Sequence, residues 1–214
     1  MTQRRLPALL TAAGGIALLA GCAGGPAVTP GAGGPAGTGD IGDIGVAIAA
    51  PGEVTGQGTV IQVGDAAPQL CLGPVAESYP PQCSGPEITG WDWDAVEGDE
   101  SSGEVTWGAY ALTGGWDGTT FSVTSSIMLA LYDPMPFIDP LLDPGNAGDT
   151  AQAELERIQT GLHESAPFEV LSSWIENGYV FASVIYDDGS LQAWADEKYL
   201  PDTVAIRPAL RDVE

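Results

Sequence analysis

Between residues 54 and 132, apolar and polar side chains alternate in short runs separated by Gly, Pro and Asp. Alternation with a period of two is typical of strands that bury one face, and the separating residues favour turns. The pattern predicts five strands, over residues 58–63, 69–72, 88–93, 104–113 and 119–131. We therefore expect a β-rich, antiparallel, half-solvated sheet in this part of the chain.

One hairpin of this sheet can be predicted residue by residue. Asp117-Gly118 is typical of a two-residue type I′ turn, which would place Trp116 opposite Thr119. The resulting register predicts three pairs on the face turned toward the core: Gly114 with Phe121, Leu112 with Val123, and Tyr110 with Ser125. We expect Leu112, Phe121 and Val123 to be buried together, with the Phe121 ring covering Gly114.

The pattern changes after Tyr132. Residues 133–149 contain three Asp-Pro pairs and predict a long loop that joins two parts of the fold or covers a groove. Asp149 followed by Gln152 is a capping-box signal for a helix to about residue 163. Its predicted buried face is Leu155, Ile158 and Leu162.

Residues 150–214 complete an α-β-β-α-β order. Strands are predicted over residues 168–175 and 179–186 with a turn at Asn177-Gly178, followed by a helix capped by Ser190 and a strand over residues 203–207. The fold class is therefore α+β. If residues 127–131 formed a leading strand, the element order would resemble that of the ferredoxin-like fold, which implies no function.

The N-terminal region has a different composition. Residues 23–53 consist mostly of Gly, Pro, Ala and Thr, which cannot bury a core. We predict a flexible tether over residues 22–53, the alternative being an edge strand through Val46, Ile48 and Ala50. The predicted organisation is a signal peptide over residues 1–21, this tether, a β-rich portion over 54–132, the loop over 133–149, and the α-β-β-α-β portion over 150–214.

The first 22 residues carry the most specific motif. Arg4 and Arg5 precede an apolar run that ends in Leu19-Ala20-Gly21-Cys22, and this segment resembles the lipobox signal peptide of bacterial lipoproteins. The resemblance implies cleavage before Cys22, a diacylglycerol on its thiol, and attachment to the outer face of the cell membrane. The alternatives are an ordinary signal peptide and an uncleaved membrane helix. The run over residues 6–20 is shorter than the roughly 20 residues that span a bilayer.

Cysteine and charge counts agree with export. With Cys22 lipidated, Cys71 and Cys83 remain as an even pair in an oxidising compartment, so a structural disulfide is predicted rather than a redox or metal pair, which would need CxxC-type spacing. The formal net charge is −23, and no Lys or Arg lies between Cys22 and Glu156. Such a surface repels phosphates, which argues against nucleic-acid partners and against charge-driven lipid binding.

Candidate chemistry is sparse. His163 is the one histidine, and the sequence contains no GxSxG, SxxK, HExxH or Walker motif. No catalytic residue, metal ligand or cofactor is therefore predicted. Two alternatives remain, a cell-envelope hydrolase or a calcium-binding protein, and both would use one acidic cluster: Asp92, Asp94, Glu97, Asp99, Glu100 and Glu104. If residues 88–93 continue as a strand, Asp92 and Asp94 share the face opposite Trp91 and Trp93.

The segment from Cys71 through Cys83 to Trp93 resembles exported actinobacterial proteins of unknown function, and this resemblance implies no catalytic residue. The sequence therefore predicts a lipid-anchored extracytoplasmic protein that binds a partner of the cell envelope or its surroundings. An exposed patch formed by Trp91, Trp116, Met135 and Phe137 is the predicted interaction surface.

Overall fold

The computed structural model describes residues 47–134 and 136–213. These residues form a mixed α+β fold with two sheets and two α-helices, in which strands predominate. The strands are β1 (Glu53–Val63), β2 (Gln69–Cys71), β3 (Glu87–Thr89), β4 (Glu100–Ser102), β5 (Val105–Trp116), β6 (Thr120–Met128), β7 (Ser172–Glu176), β8 (Tyr179–Val184), β9 (Val204–Pro208) and β10 (Arg211–Asp212). The helices are α1 (Gln152–Ser165) and α2 (Ser190–Tyr199).

The first sheet closes on itself as a small barrel. Strands β1, β2, β3, β6 and β5 are neighbours in that order, and β5 pairs again with β1 along its length. Strand β10 extends this sheet beside β1, and β4 extends it beside β5. All pairs are antiparallel, as predicted, except β3 with β6, which are parallel. Closure leaves few unpaired strand edges in this part of the molecule.

The barrel interior is apolar. Its buried side chains include Val54, Val60, Leu70, Ile88, Tyr110, Leu112 and Phe121. Leu112 and Phe121 are both 0% exposed, which confirms their predicted facing. Val123 packs against the same cluster but is only half-buried. The barrel core therefore lies on the face that the hairpin pattern predicted.

The predicted register of that hairpin is wrong. Trp116 pairs with Phe121 instead of Thr119, because the Asp117 carboxylate accepts hydrogen bonds from the backbone N–H groups of Thr119 and Thr120 at 2.8 and 2.7 Å. This places the turn on Gly118-Thr119. Between Gly114 and Trp116 the slip is two residues, which keeps these side chains on their predicted faces. The Phe121 ring consequently still covers Gly114, where an added Cβ would lie 3.0 Å from its Cε1. A β-bulge between Thr113 and Gly114 then makes the slip three residues, so that Leu112 pairs with Ser126 and Tyr110 with Met128.

The second sheet has the order β7, β8, β9. Strands β7 and β8 form the predicted hairpin at Asn177-Gly178, where both residues have positive φ (49° and 84°), as a type I′ turn requires. Strands β8 and β9 are parallel, and α2 connects them. The two helices pack on one face of this sheet through Leu155, Ile158, Leu162, Leu191 and Ala195.

The ferredoxin-like arrangement is not confirmed. Its proposed leading strand, residues 127–131, lies instead at the end of β6 in the barrel and in a 3₁₀ turn, Leu129–Leu131. The predicted capping box at Asp149 is also missing, since the N-cap of α1 is Ala151 and the Gln152 amide donates to Glu156. Likewise Ser190 does not cap α2. Its first turn donates from the Leu191 N–H to the Asp187 carboxylate.

The Asp-Pro loop covers the other face of the second sheet. Leu141 packs against Tyr179, Phe181 and Ala205, and the Asn177 side-chain amide donates to the carbonyl oxygens of Leu141 and Asp143. Strand β8 is therefore covered on both faces, which explains its nearly continuous burial. The loop joins β6 to α1 and packs on this face of the sheet rather than over a groove.

Three chain segments connect the barrel to the second sheet: the segment after β8, the segment after β9, and the chain around Ile48. Beyond β9, the Ala209 and Leu210 N–H groups donate to the carbonyl oxygens of Val184 and Ile185. Tyr186 packs in the barrel core and donates to Asp212 at 3.0 Å, and its burial, together with that bond, raises its pKa to about 12. Ile48 contacts the cores of both sheets. The described residues all belong to one compact unit.

Candidate binding groove

An open groove of about 640 Å³ lies where the chain passes from β9 to β10, alongside β1. Its floor includes Gly56 of β1, where an added Cβ would lie 2.6 Å from Leu210 Cδ2, so glycine permits the close approach of the C-terminal segment. Its walls carry aromatic, proline and arginine side chains: Tyr132, Pro134, Phe137, Arg207, Pro208 and Arg211. The volume is that of a site for a small organic ligand or a short peptide segment.

Arg207 is held by a buried carboxylate from the Asp-Pro loop. Its Nε lies 2.6 Å from Asp139 Oδ2 and its Nη2 lies 3.0 Å from Oδ1, while Nη1 donates to the Ile206 carbonyl oxygen. Asp139 is 9% exposed and also accepts from the Leu141 N–H. The hydrogen bonds from Arg207 hold the pKa of Asp139 below its ordinary value, against the opposing effect of burial. The Arg207 charge is thus balanced within the protein.

Arg211, unlike Arg207, is not held by a carboxylate within the described residues. Pairing of β10 with β1 places it opposite Thr55, and its guanidinium carbon lies 4.5 Å from the centroid of the Phe137 ring. Phe137 is 62% exposed. Within the described residues, Arg211 forms no ion pair with a carboxylate. The groove therefore presents a positive charge on an exposed aromatic ring. This charge helps to lower the pKa of Asp139 but forms no salt bridge within the described residues.

The predicted aromatic patch does not exist as one surface. Trp116 is 5% exposed and belongs to the barrel core. Trp91 is half-buried and packs edge to face with Trp93 and Tyr110, at 5.2 and 4.8 Å between ring centroids. Met135 lies outside the described residues. Of the three that the structure describes, Phe137 alone lines the groove, because Trp116 and Trp91 pack in the hydrophobic interior.

The acidic segment also departs from its predicted conformation. Strand β3 ends at Thr89, Gly90 follows with φ +75°, and Trp93–Ala95 forms a 3₁₀ turn that the Asp92 side chain caps at 3.0 Å. The expected strand with Asp92 and Asp94 on one face is therefore wrong. The acidic side chains of this segment are all exposed: Asp92, Asp94, Glu97, Asp99, Glu100 and Glu104. Within the described chain, no three potential metal-ligating residues meet in one cluster.

Two buried polar atoms beneath this segment make no hydrogen bond within the described structure, the Tyr110 hydroxyl and the Trp91 indole nitrogen. Burial, and secondarily the negative charge of Asp99, raise the pKa of Tyr110. Nearby, Trp93 Nε1 donates to the Gln62 side chain at 2.6 Å. The aromatic cluster thus secures the segment to the barrel and leaves its carboxylates in solvent.

The remaining predicted residues have simple positions. Cys71 and Cys83 form the predicted disulfide, with Cα atoms 6.0 Å apart. His163 Nε2 lies 2.8 Å from the Ser173 hydroxyl, a contact that joins α1 to β7. Cys22 and the tether up to residue 46 lie outside the described residues. No helix in the described part of the chain has the length and apolar character needed to cross a membrane.

Comparison with known proteins gives no family assignment: no family model matches the chain, and no curated protein or solved structure matches it either. Sequence reasoning did not single out Arg207, Arg211 or Asp139. One signal was available, since four bases, Arg157, Lys198, Arg207 and Arg211, all follow residue 156.

Proposed function

We propose that the protein is a lipid-anchored, extracytoplasmic binding protein that holds an anionic ligand in the groove beside Arg211. The observation that carries the proposal is the Arg211 guanidinium, which lies on the exposed Phe137 ring and forms no salt bridge within the described residues. An arginine held on an aromatic face is pre-oriented, which strengthens its contact with an anion.

The surroundings favour binding over catalysis. His163 of α1 pairs with Ser173 of β7 and does not line the groove. The buried carboxylate nearest to the groove arginines, Asp139, is committed to Arg207 and Leu141. The groove residues therefore supply orientation, charge and apolar contact, which are the requirements of a binding site.

The anchor follows from the lipobox resemblance and is tested at Cys22. We expect Cys22→Ser to prevent acylation. The variant should then be found either in the soluble fraction or as the unprocessed precursor. Ala23→Ser, next to it, is the matched control and should leave the protein in the membrane. Intact-mass measurement of the wild-type protein should show the diacylglycerol. An unmodified Cys22 in mature protein would disprove the anchor without affecting the groove.

The groove is tested in living cells with a photo-crosslinking amino acid. Benzoylphenylalanine in place of Phe137 keeps an aromatic ring under Arg211 and should form adducts with the natural ligand. The control is the same substitution at Leu200, which is 72% exposed and does not line the groove. We expect an adduct at position 137 only, identified by mass spectrometry. Its absence, or equal adducts at both positions, would contradict the proposed function.

A further inference from the structure

The groove is built to neutralise a single negative charge. Of its two arginines, Arg207 already forms a bidentate pair with Asp139, so a second anion there would displace a buried carboxylate from its partner. Arg211 has no such partner in the described structure. One anionic group can therefore be bound without breaking an existing ion pair, and a second one cannot.

The geometry at Arg211 favours a carboxylate. The Phe137 ring lies against the guanidinium, with 4.5 Å from the ring centroid to Cζ, so contact on that side leaves the outer N–H groups to bind a ligand. Guanidinium N–H groups form a planar fork that matches the two oxygen atoms of a carboxylate. The backbone of Arg211 is fixed by the pairing of β10 with β1, which limits the loss of chain entropy on binding.

The walls of the groove select an apolar body for the ligand. Pro208 of β9 lines the groove, and so do four residues that follow β6: Tyr132, Pro134, Pro136 and Phe137. These side chains offer flat apolar surfaces within about 640 Å³. A small carboxylate such as acetate would leave most of this apolar surface exposed to water. The groove is therefore suited to a carboxylate joined to an aromatic or aliphatic group, which can bury that surface.

The charge of the whole chain acts against polyanions. The protein carries 29 acidic residues against 6 basic ones, and its repulsion of an approaching anion grows with the charge of that anion. A monoanion is repelled through one charge, and its contact with Arg211 offsets this repulsion. A nucleotide or a strongly acidic peptide is repelled through several charges but gains the same single contact.

We infer that the groove binds monocarboxylates with an apolar body, the carboxylate on Arg211 and the body against Phe137 and the proline walls. The inference rests on the proposed binding function and narrows its ligand. Two sources share this chemistry, a free aromatic or aliphatic acid and the terminal carboxylate of an apolar peptide.

The test uses the full mature protein in lipid nanodiscs, with empty nanodiscs as reference, and isothermal titration with water-soluble probes. 1-Naphthylacetate represents free acids, and the peptide Ala-Pro-Phe represents C-terminal carboxylates. Each is compared with its neutral amide, and naphthalene-1,4-dicarboxylate serves as a dianion. We expect at least one acid to bind about tenfold or more tightly than its amide, as expected for a charge-assisted contact, and the dianion to bind no better.

Variants locate the contact. Arg211→Gln should remove the preference for acid over amide, while Arg157→Gln, which removes an exposed arginine from α1, should preserve it. Arg211→Lys keeps the charge but not the fork and should retain only part of the preference. Equal affinity for acid and amide, a preference that survives Arg211→Gln, tighter binding of the dianion, or binding of neither acid would overturn the inference. A polyanionic adduct at position 137 in cells would do so as well, while leaving the proposed function intact.

Discussion

Replacing Phe121 with Ala is expected to lower the free energy of unfolding by about 3 to 5 kcal/mol, the range for deletion of a fully buried aromatic side chain. Phe121 is 0% exposed inside the closed barrel. Its ring also covers Gly114 of the neighbouring strand. The backbone on either side is held by the β5–β6 ladder and by the parallel pair with β3, so the cavity cannot collapse easily. Urea denaturation followed by tryptophan fluorescence measures the change.

The matched control for this prediction is Val123→Ala, two residues along the same strand and face. Val123 is only half-buried, and its replacement should cost about 1 kcal/mol because fewer methyl groups leave the core. A loss below about 1 kcal/mol for Phe121→Ala, or similar losses for both variants, would show that the barrel interior is not close-packed around this ring.

The facing of this hairpin was predictable and its register was not. Facing depends on the alternation of side chains along β5 and β6, which many residues determine together. Register depends on local choices, here at the turn and at the β-bulge between Thr113 and Gly114. The Asp117 carboxylate captures two backbone N–H groups and moves the turn by one position, and such side-chain capture competes with the type I′ turn that the dipeptide favours. The sequence alone does not show which arrangement is more stable.

Barrel closure lay beyond the sequence pattern for a different reason. It depends on β2 and β3, three residues each, and on the parallel pairing of β3 with β6 about 33 residues along the chain. Short strands carry too few residues for a clear period, and non-local pairing leaves no signature in the sequence. Helix α1 was found more readily because Leu155, Ile158 and Leu162 repeat at helical spacing over about two turns.

The groove was missed because its residues are far apart in the sequence. Phe137 comes from the covering loop, Arg207 from β9 and Arg211 from β10, and the chain topology alone brings them together. Asp139 was one of 29 acidic residues and carried no distinguishing motif. The dense acidic cluster around Trp91 suggested a hydrolase or calcium site, but a dense run of carboxylates is also typical of a solvated surface. Burial and pairing, which distinguish Asp139, appear only in three dimensions.

Replacing Asp139 with Asn is expected to cost about 3 kcal/mol at neutral pH, the lower end of the range for removing one partner of a buried ion pair. The substitution keeps the shape of the side chain but leaves the Arg207 guanidinium without its counter-charge. The Arg207 side chain is 24% exposed, so water relieves part of the penalty. Asp133→Asn, in the exposed part of the same loop, is the control. In so acidic a protein, loss of one exposed carboxylate should be neutral or slightly stabilising.

The stability that the Asp139–Arg207 ion pair contributes should decrease as the pH falls. The pKa of Asp139 is lowered in the folded protein, chiefly by its hydrogen bonds with Arg207, from a reference value of 3.8. The ion pair therefore contributes its full stability above the pKa of the unfolded chain and loses it as the pH falls through the lowered, folded value. The difference between wild type and Asp139→Asn should be constant from about pH 7 to 5 and should shrink below about pH 4. A difference that grows on acidification, or equal effects of Asp139→Asn and Asp133→Asn at pH 7, would show that Asp139 does not hold the covering loop and Arg207 in place.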